Sequence, residues 1–202
     1  MAMTQDSTPK MQYQNLGSSG LKVSKIILGC MSYGDPEWQG WVLNEADSLP
    51  LLNHAYENGI NTWDTADVYS NGKSEKIVRA AIERYSIPRS SLVLLSKCYF
   101  GVVSDGSQPD VHEVSCNEGK MVNQVGLSRK HIFDAVEASV ERLGTYIDVL
   151  QIHRLDRETP KKEIMRALND VVEKGWVRYL GASSMYAWEF QELQWIAKTS
   201  KS

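Results

Sequence analysis

Short apolar runs along this chain alternate with longer stretches in which apolar residues recur at helical spacing. The short runs predict strands over residues 25–29, 60–63, 92–96, 148–152 and 177–181. The longer stretches predict helices over residues 45–58 and 74–85, after Ser128, after Thr159, and over residues 186 to about 198. Five strand and helix units in strict alternation indicate an α/β fold with a parallel sheet and right-handed crossovers.

Local signals mark the ends of several of these elements. Residues 12–16 and 21–24 flank the sequence Gly-Ser-Ser-Gly, which predicts a β-hairpin before the first unit. Asn44 is the expected N-cap of the first helix, because its side-chain oxygen can accept a bond from a free backbone N–H. Thr159 is the expected N-cap of the fourth helix, with Pro160 at the first helical position.

Two architectures fit alternating strands and helices: an open doubly wound sheet and a (β/α)8 barrel. A doubly wound sheet that binds a dinucleotide carries the pattern G-x-G-x-x-G after its first strand, which this chain lacks at that place. The candidate polar residues follow the second to the fifth strand instead of clustering at one switch point. We therefore expect a partial (β/α)8 TIM barrel, formed by the N-terminal hairpin and about five β/α units.

The connection between Lys97 and Ser128 is much longer than the others. It is rich in Gly, Ser, Asp and Asn, and connections beyond about 15 residues are usually functional or disordered. This connection leaves the sheet on the side where the strands end. It is therefore either a lid over a substrate or a loose insertion.

Composition and charge restrict the class of partner. The 202 residues carry a net charge of -3 and are 42% hydrophobic, which gives no basic field for nucleic acid or anionic lipid. No apolar run approaches the ~20 residues of a membrane span, and the first ten residues lack the apolar core of a secretion signal. Three cysteines do not suit a disulfide framework. We expect a cytoplasmic protein with a disordered tail over residues 1–10 and one domain over residues 11–202.

Four chemically reactive side chains lie at or just after the ends of predicted strands: Asp64, Tyr69, Lys97 and His153. Parallel strands deliver their ends to one side of a sheet, so these side chains should converge. A lysine ammonium stabilises the phenolate of a nearby tyrosine, a carboxylate holds the lysine, and an imidazole orients a substrate oxygen. Such a set suits protonation of an oxygen that becomes negative, as in carbonyl reduction. A reduction also requires a redox cofactor, because none of these residues supplies a hydride.

Aromatic and sulfur-containing residues add two further hypotheses. Trp38 and Trp41 lie in the loop after the first predicted strand, where they could line a substrate pocket. His112, Glu113 and Cys116 lie close together in the sequence, but no second pair accompanies them at the spacing typical of zinc sites. We therefore predict a small-molecule site without a metal.

Five short segments carry a resemblance to a known family. They are residues 64–69 (DTADVY), 74–75 (SE), 95–97 (LSK), 150–153 (LQIH) and 181–184 (GASS). In this order and spacing they resemble the aldo-keto reductase superfamily, most closely its fungal aryl-alcohol-dehydrogenase-like and versiconal-hemiacetal-acetate-reductase-like members. The resemblance runs from about residue 13 to residue 197.

The resemblance implies NADPH-dependent reduction of an aldehyde or ketone to an alcohol on a (β/α)8 barrel. Tyr69 would be the general acid, Lys97 and Asp64 would tune it, and His153 would place the substrate carbonyl. The residues implied to contact the cofactor are Cys30, Met31, Asp64, Ser183 and Ser184. Those expected at the substrate are Trp38, Trp41 and His153.

The last segment of the chain departs from the family pattern. In the family, the sixth strand and the loops after the seventh and eighth strands hold the rest of the cofactor, and residues 198–202 begin no such strand. We therefore expect a C-terminally truncated member in which NADPH binding is weak or lost. The first and fifth strands would then be unpaired edges, which favour self-association or pairing with another chain.

Two other functions stay open at this point. The chain could be a truncated pseudo-enzyme that acts as an assembly or regulatory partner of a full-length relative. Alternatively, the same four residues could serve an acid-base enzyme that needs no cofactor, such as an isomerase, dehydratase or cyclase. Turnover without a nucleotide would distinguish the second alternative from a reductase.

Overall fold

The N-terminal hairpin closes one end of the sheet. The computed structural model describes residues 11–103, 105 and 107–199, so the tail predicted over residues 1–10 lies outside the described residues. Strands β1 (Tyr13–Asn15) and β2 (Lys22–Ser24) pair antiparallel, as predicted. Val23 packs against side chains of the main sheet, namely Val93, Leu95 and Val149. The hairpin therefore covers apolar side chains on the inner face of the sheet.

The main sheet has five parallel strands whose spatial order follows the chain. They are β3 (Leu28–Gly29), β4 (Thr62–Asp64), β5 (Val93–Cys98), β6 (Ile147–Ile152) and β7 (Val177–Ala182). A doubly wound sheet would reverse direction at a switch point, whereas this order continues in one direction across the described strands. The arrangement confirms the expected partial barrel.

Five helices follow the five strands and pack in sequence around the outside of the sheet. They are α1 (Glu45–Glu57), α2 (Lys73–Arg84), α3 (Arg129–Leu143), α4 (Lys161–Glu173) and α5 (Ala187–Thr199). The main core lies between these helices and the sheet, around residues such as Trp63, Ile77, Ile132 and Leu150. No helix in the described ranges is long and apolar enough to cross a membrane. Because the five strands are parallel, their carboxyl ends all lie on one side of the sheet.

Two helix starts agree with the sequence and one differs. The Asn44 side chain accepts from Asp47 N, and Ser128 caps α3 by accepting from His131 N. The prediction that Thr159 is the N-cap of α4 was wrong, because Pro160 occupies the cap position and makes no side-chain cap. The Thr159 hydroxyl donates to Asp156 Oδ2 at 2.6 Å instead, so this oxygen belongs to the preceding loop.

The first strand is shorter than the apolar run predicted. Only Leu28 and Gly29 pair with a neighbour, through β4, whereas Ile26 and Ile27 are 59% and 44% exposed. Ser24 Oγ donates to Ile26 O, which holds the chain in a turn as it leaves the hairpin. Only the last two residues of the run therefore form strand β3.

The long connection between β5 and α3 packs against the loop that carries Tyr69. A 3-10 helix (Gly119–Met121) lies within this connection. Val114, Met121 and Val125 form a small apolar cluster with Ala66 and Val68 of the β4–α2 loop. The described part of the connection is therefore packed on the candidate site, and its action as a lid stays a prediction.

Candidate active site

The structure brings the four candidate residues at the strand ends together. Asp64 is the last residue of β4, Lys97 lies near the end of β5, and His153 directly follows β6. Tyr69 reaches the same place from the β4–α2 loop, where its backbone N–H donates to Ala66 O. Parallel pairing of β4, β5 and β6 is the reason for this convergence.

Lys97 is the centre of the cluster. Its Nζ donates to Asp64 Oδ2 at 2.7 Å, to Thr65 O at 2.9 Å and to Tyr69 Oη at 3.2 Å. These three acceptors use all three ammonium protons, and the residue is only 6% exposed. A positive charge is therefore fixed beside the phenol oxygen.

Gln151 is a member of the cluster that the sequence analysis missed. Its Nε2 donates to Asp64 Oδ1 at 2.8 Å, so both carboxylate oxygens of Asp64 are held. Gln151 lies directly opposite Lys97 in the β5–β6 pairing. Gln151 lies two residues before His153 in the sequence. Residues at that spacing share one face of a strand, so the spacing could have indicated that Gln151 points to the site.

The imidazole of His153 is buried and uncharged. Burial, with a smaller contribution from the nearby charges of Lys97 and Arg154, lowers the pKa of His153 to about 3. Its ring lies edge-on to Tyr69, with ring centroids 5.8 Å apart, and to Phe100, at 5.1 Å. Within the described residues, Nδ1 has no hydrogen-bond partner. A neutral imidazole has one N–H and one acceptor nitrogen to offer a bound molecule.

Aromatic residues form one wall beside the phenol. The ring of Trp38 is buried and lies 6.3 Å from the ring of Tyr69, measured between centroids. Trp41 packs edge-on against Trp38 but is 53% exposed. Trp38 therefore lies beside the cluster, whereas Trp41 lies towards its outer rim.

The candidate cofactor residues other than Asp64 lie at the two edges of the sheet. Cys30 is fully buried, and its carbonyl accepts from Ser74 Oγ, whereas Met31 is exposed. At the opposite edge, Ser183 N donates to Ile152 O and Ser183 Oγ lies 3.2 Å from Ser184 Oγ. Three of the candidate cofactor side chains at the edges therefore reach the surface, namely those of Met31, Ser183 and Ser184.

A buried polar network lies behind Lys97, and the sequence analysis assigned it no role. Glu75 is fully buried and accepts from Ser96 Oγ at 2.5 Å and from Arg142 Nε at 2.6 Å. Asp67 is also fully buried, and burial together with the charge of Glu75 raises its pKa. The network connects α2 and α3 to β5, and it therefore supports the strand that carries Lys97.

Comparison with known proteins identifies the family. The Aldo/keto reductase family model matches residues 25–202 of the chain. The chain belongs to the aldo/keto reductase family. This membership confirms the resemblance found in the sequence, and reduction of carbonyl compounds with a nicotinamide cofactor is the general activity of aldo/keto reductases.

Individual relatives of this aldo/keto reductase agree with that assignment. The chain is 70% identical over 188 residues to versiconal hemiacetal acetate reductase of Aspergillus parasiticus, covering 93% of this chain and 55% of the relative. It is 55% identical to the putative aryl-alcohol dehydrogenase AAD16 of Saccharomyces cerevisiae, covering 90% and 54%. The holo form of aldo-keto reductase AKR11C1 from Bacillus halodurans superimposes with a TM-score of 0.72 at 29% identity, covering 90% and 53%. The chain spans about half the length of the relatives that it matches.

Proposed function

We propose that this site performs NADPH-dependent reduction of an aldehyde or ketone to an alcohol. The observation that carries the proposal is the double contact of Lys97 Nζ, with Asp64 Oδ2 at 2.7 Å and Tyr69 Oη at 3.2 Å. This contact places a fixed cation on the oxygen that must release a proton. A phenol beside a fixed ammonium suits protonation of an oxygen that becomes negative, as in carbonyl reduction.

Tyr69 is the proposed general acid. As the carbonyl carbon is reduced, the substrate oxygen becomes negative, and Tyr69 Oη donates its proton to that oxygen. Lys97 stabilises the negative charge that develops on Tyr69 Oη, because its ammonium stays within hydrogen-bond distance. Asp64 holds Lys97 in place through a hydrogen bond, and Gln151 in turn holds Asp64.

His153 is proposed to orient the substrate. Its neutral ring can donate one N–H to the carbonyl oxygen without placing a second positive charge beside Lys97. Trp38 and Phe100 flank Tyr69 and His153 with aromatic surface. This wall, with Trp41 at its outer rim, favours a carbonyl compound with an apolar or aromatic body, since such surface excludes water.

The residues present fit the nicotinamide end of the proposed cofactor. Ser183 and Ser184 offer hydroxyl groups at the end of β7, which suit a carboxamide, and Met31 offers an apolar surface at the other edge. When bound, NADPH supplies the hydride that reduces the carbonyl carbon. We propose NADPH and not NADH on the basis of the family resemblance.

Pairing with another chain is part of this proposal. Strand β7 pairs on one side only within the described sheet, and its Tyr179 and Leu180 are 38% and 39% exposed. Helix α5, which follows it, exposes Trp188 and Trp195. Exposed apolar side chains beside an unpaired strand edge favour self-association or binding of a second polypeptide. We place this assembly in the cytoplasm.

The proposed function is tested by separating cofactor binding from turnover. NADPH is titrated into the purified chain and followed by its fluorescence, and then benzaldehyde is added and NADPH consumption is followed. Saturable binding and consumption only in the presence of aldehyde are expected. Absence of NADPH binding at high micromolar protein would overturn the proposal. Conversion of a carbonyl substrate without NADPH would instead support an acid-base enzyme that needs no cofactor.

A further inference from the structure

Ser74 is a fully buried serine in the first turn of α2. A serine inside a helix often bonds back to its own helix, as Ser48 Oγ of α1 does by donating to Asn44 O at 2.6 Å. The Ser74 hydroxyl instead donates to Cys30 O at 2.8 Å and lies 2.9 Å from Thr65 Oγ1. Ser74 therefore connects α2 to the loops that follow β3 and β4.

The direction of both hydrogen bonds follows from the number of protons. A serine hydroxyl carries one proton and can accept two further bonds. Because the Ser74 proton is donated to the carbonyl of Cys30, Thr65 Oγ1 must be the donor in the bond between the two hydroxyls. Thr65 is only 1% exposed, so water does not compete for its hydroxyl. A single directed chain of bonds thus runs from Thr65 through Ser74 to Cys30.

This chain closes into a ring through Asp64. Cys30 N donates to Asp64 O at 2.8 Å, and Thr65 follows Asp64 along the backbone. The end of β3, the end of β4 and the start of α2 are therefore joined by three buried hydrogen bonds. Thr65 cannot shift relative to the other two elements without breaking one of them, and a buried hydroxyl without a partner is unfavourable.

The ring meets the proton-transfer residues at two points. Thr65 O accepts from Lys97 Nζ at 2.9 Å, which is the third bond of that ammonium group. Ser74 N donates to Tyr69 O at 3.3 Å, at the end of the loop that carries the phenol. Ser74 thus lies behind the acceptor that holds Lys97 and behind the backbone of Tyr69.

We propose that Ser74 is a positioning residue for the proposed reduction. Through Thr65 it fixes the carbonyl oxygen that holds the Lys97 ammonium beside Tyr69. The role in turnover rests on the proposed function, whereas the hold on Lys97 can be measured without it. Loss of the Ser74 hydroxyl should affect the proton-transfer step and leave ligand binding nearly constant, because Ser74 is buried behind the reacting groups.

The first test follows Lys97 itself and needs neither cofactor nor substrate. Ser74→Ala and the original chain are acetylated with limiting reagent. Peptide mass spectrometry then compares the labelling of Lys97 with that of the exposed Lys130 in the same sample. Relative labelling of Lys97 should rise by about threefold to tenfold in Ser74→Ala, the factor that corresponds to one neutral hydrogen bond. Unchanged relative labelling would overturn the proposal.

Ser48→Ala is the matched control, because it removes a hydroxyl from an equally buried serine that also donates to a backbone carbonyl. Urea denaturation should show a similar loss of stability in the two variants. The relative labelling of Lys97 should be unchanged in Ser48→Ala. An equal rise in both variants would mean that labelling reports general stability, and it would overturn the positioning role of Ser74.

The second test separates kcat from binding. In Ser74→Ala, kcat for NADPH-dependent reduction of benzaldehyde should fall by about threefold to tenfold, while KM for benzaldehyde and the dissociation constant of NADPH stay nearly constant. A change in KM with kcat unchanged would overturn the proposal. If the original chain reduces no aldehyde, the proposed function fails, whereas raised labelling of Lys97 still supports the hold of Ser74 on Lys97.

Thr65 provides a second pair of variants, which also serves if Ser74→Ala does not fold. Thr65→Val removes the other hydroxyl of the pair with little change of shape and should raise Lys97 labelling as Ser74→Ala does. Thr65→Ser keeps a hydroxyl and should stay closer to the original chain. The double variant Ser74→Ala with Thr65→Val should label Lys97 no faster than Ser74→Ala alone, because both changes break the same bond. Additive increases would overturn the proposed path through Thr65.

Discussion

The central strands of the sheet and its edge strands differ in how firmly they hold their functional residues. Every residue of β5 is buried, whereas the central residues of β7, from Arg178 to Leu180, are exposed. Lys97 on β5 makes three side-chain hydrogen bonds. In the described residues, the one side-chain hydrogen bond of Ser183 after β7 is with the neighbouring Ser184 hydroxyl.

The residues proposed for proton transfer are therefore better ordered than those proposed for cofactor binding. The proton-transfer residues lie over strands that have partners on both sides, so packing and hydrogen bonds fix their positions before any ligand arrives. The residues proposed to meet the cofactor lie at edges, where solvent competes for their hydrogen bonds. Substitutions at the centre should therefore have large effects and substitutions at the edges small ones.

Tyr69→Phe tests the centre most directly. The change removes the proposed proton donor and keeps the ring that packs beside Trp38 and His153. We expect kcat for NADPH-dependent reduction of benzaldehyde to fall by about 10²- to 10⁴-fold, the usual contribution of a general acid. NADPH consumption gives the rate.

The control for this variant is Tyr13→Phe, which makes the same change on the exposed strand β1. It should leave kcat unchanged, and both variants should keep the circular dichroism of the original chain. Reduction that persists in Tyr69→Phe at the original rate would show that another group protonates the substrate.

Arg142→Met tests the buried network behind the centre. Glu75 has no exposed surface, and the change removes its charged partner, since Arg142 Nε is 2.6 Å from Glu75 Oε2. We expect the free energy of unfolding to fall by about 3 kcal/mol in urea denaturation. Arg79→Met breaks an exposed pair with Glu83 and should cost less than about 0.5 kcal/mol. Equal losses in the two variants would contradict the difference between buried and exposed pairs.

Gln151→Leu tests whether the hydrogen bond to Asp64 helps to hold the proton-transfer residues. Loss of the bond to Asp64 Oδ1 frees one side of the carboxylate that fixes Lys97. We expect kcat to fall by about tenfold, because hydrogen bonds to charged groups contribute roughly 1.5–3 kcal/mol and Asp64 is partly exposed to water. Gln14→Leu on the exposed strand β1 is the matched control. If the two variants have equal kcat, Gln151 does not act through Asp64.

The sequence predicted the later strands of the sheet better than the first. Apolar runs at 92–96, 148–152 and 177–181 became β5, β6 and β7 almost as predicted, although β7 pairs on one side only in this sheet. The run at 25–29 has the same apolar character, yet Ile26 and Ile27 are exposed. An apolar run indicates that its residues prefer to be buried. Whether they pair as a strand depends on the neighbours that the whole fold provides.

The candidate site shows the same limit at the level of single residues. Asp64, Tyr69, Lys97 and His153 could be predicted to converge, since strand ends in a parallel sheet meet. The spacing of Gln151 from His153 indicated the same face of the strand, but its contact with Asp64 could not be predicted, because that contact depends on the register between β5 and β6. The Thr159 hydroxyl likewise follows a local contact, with Asp156, that no helix signal reveals.

Ser183→Ala tests the edge and should give the smallest effect. The proposed bond between its hydroxyl and the nicotinamide carboxamide is a neutral hydrogen bond in a partly exposed place, which contributes about 0.5–1.5 kcal/mol. The dissociation constant for NADPH, measured by fluorescence titration, should rise by roughly two- to tenfold, while kcat at saturating NADPH stays nearly constant. Ser18→Ala in the hairpin turn should change neither constant. A fall in kcat as large as that of Tyr69→Phe would mean that the edge is as firmly organised as the centre, and the comparison between the two would not hold.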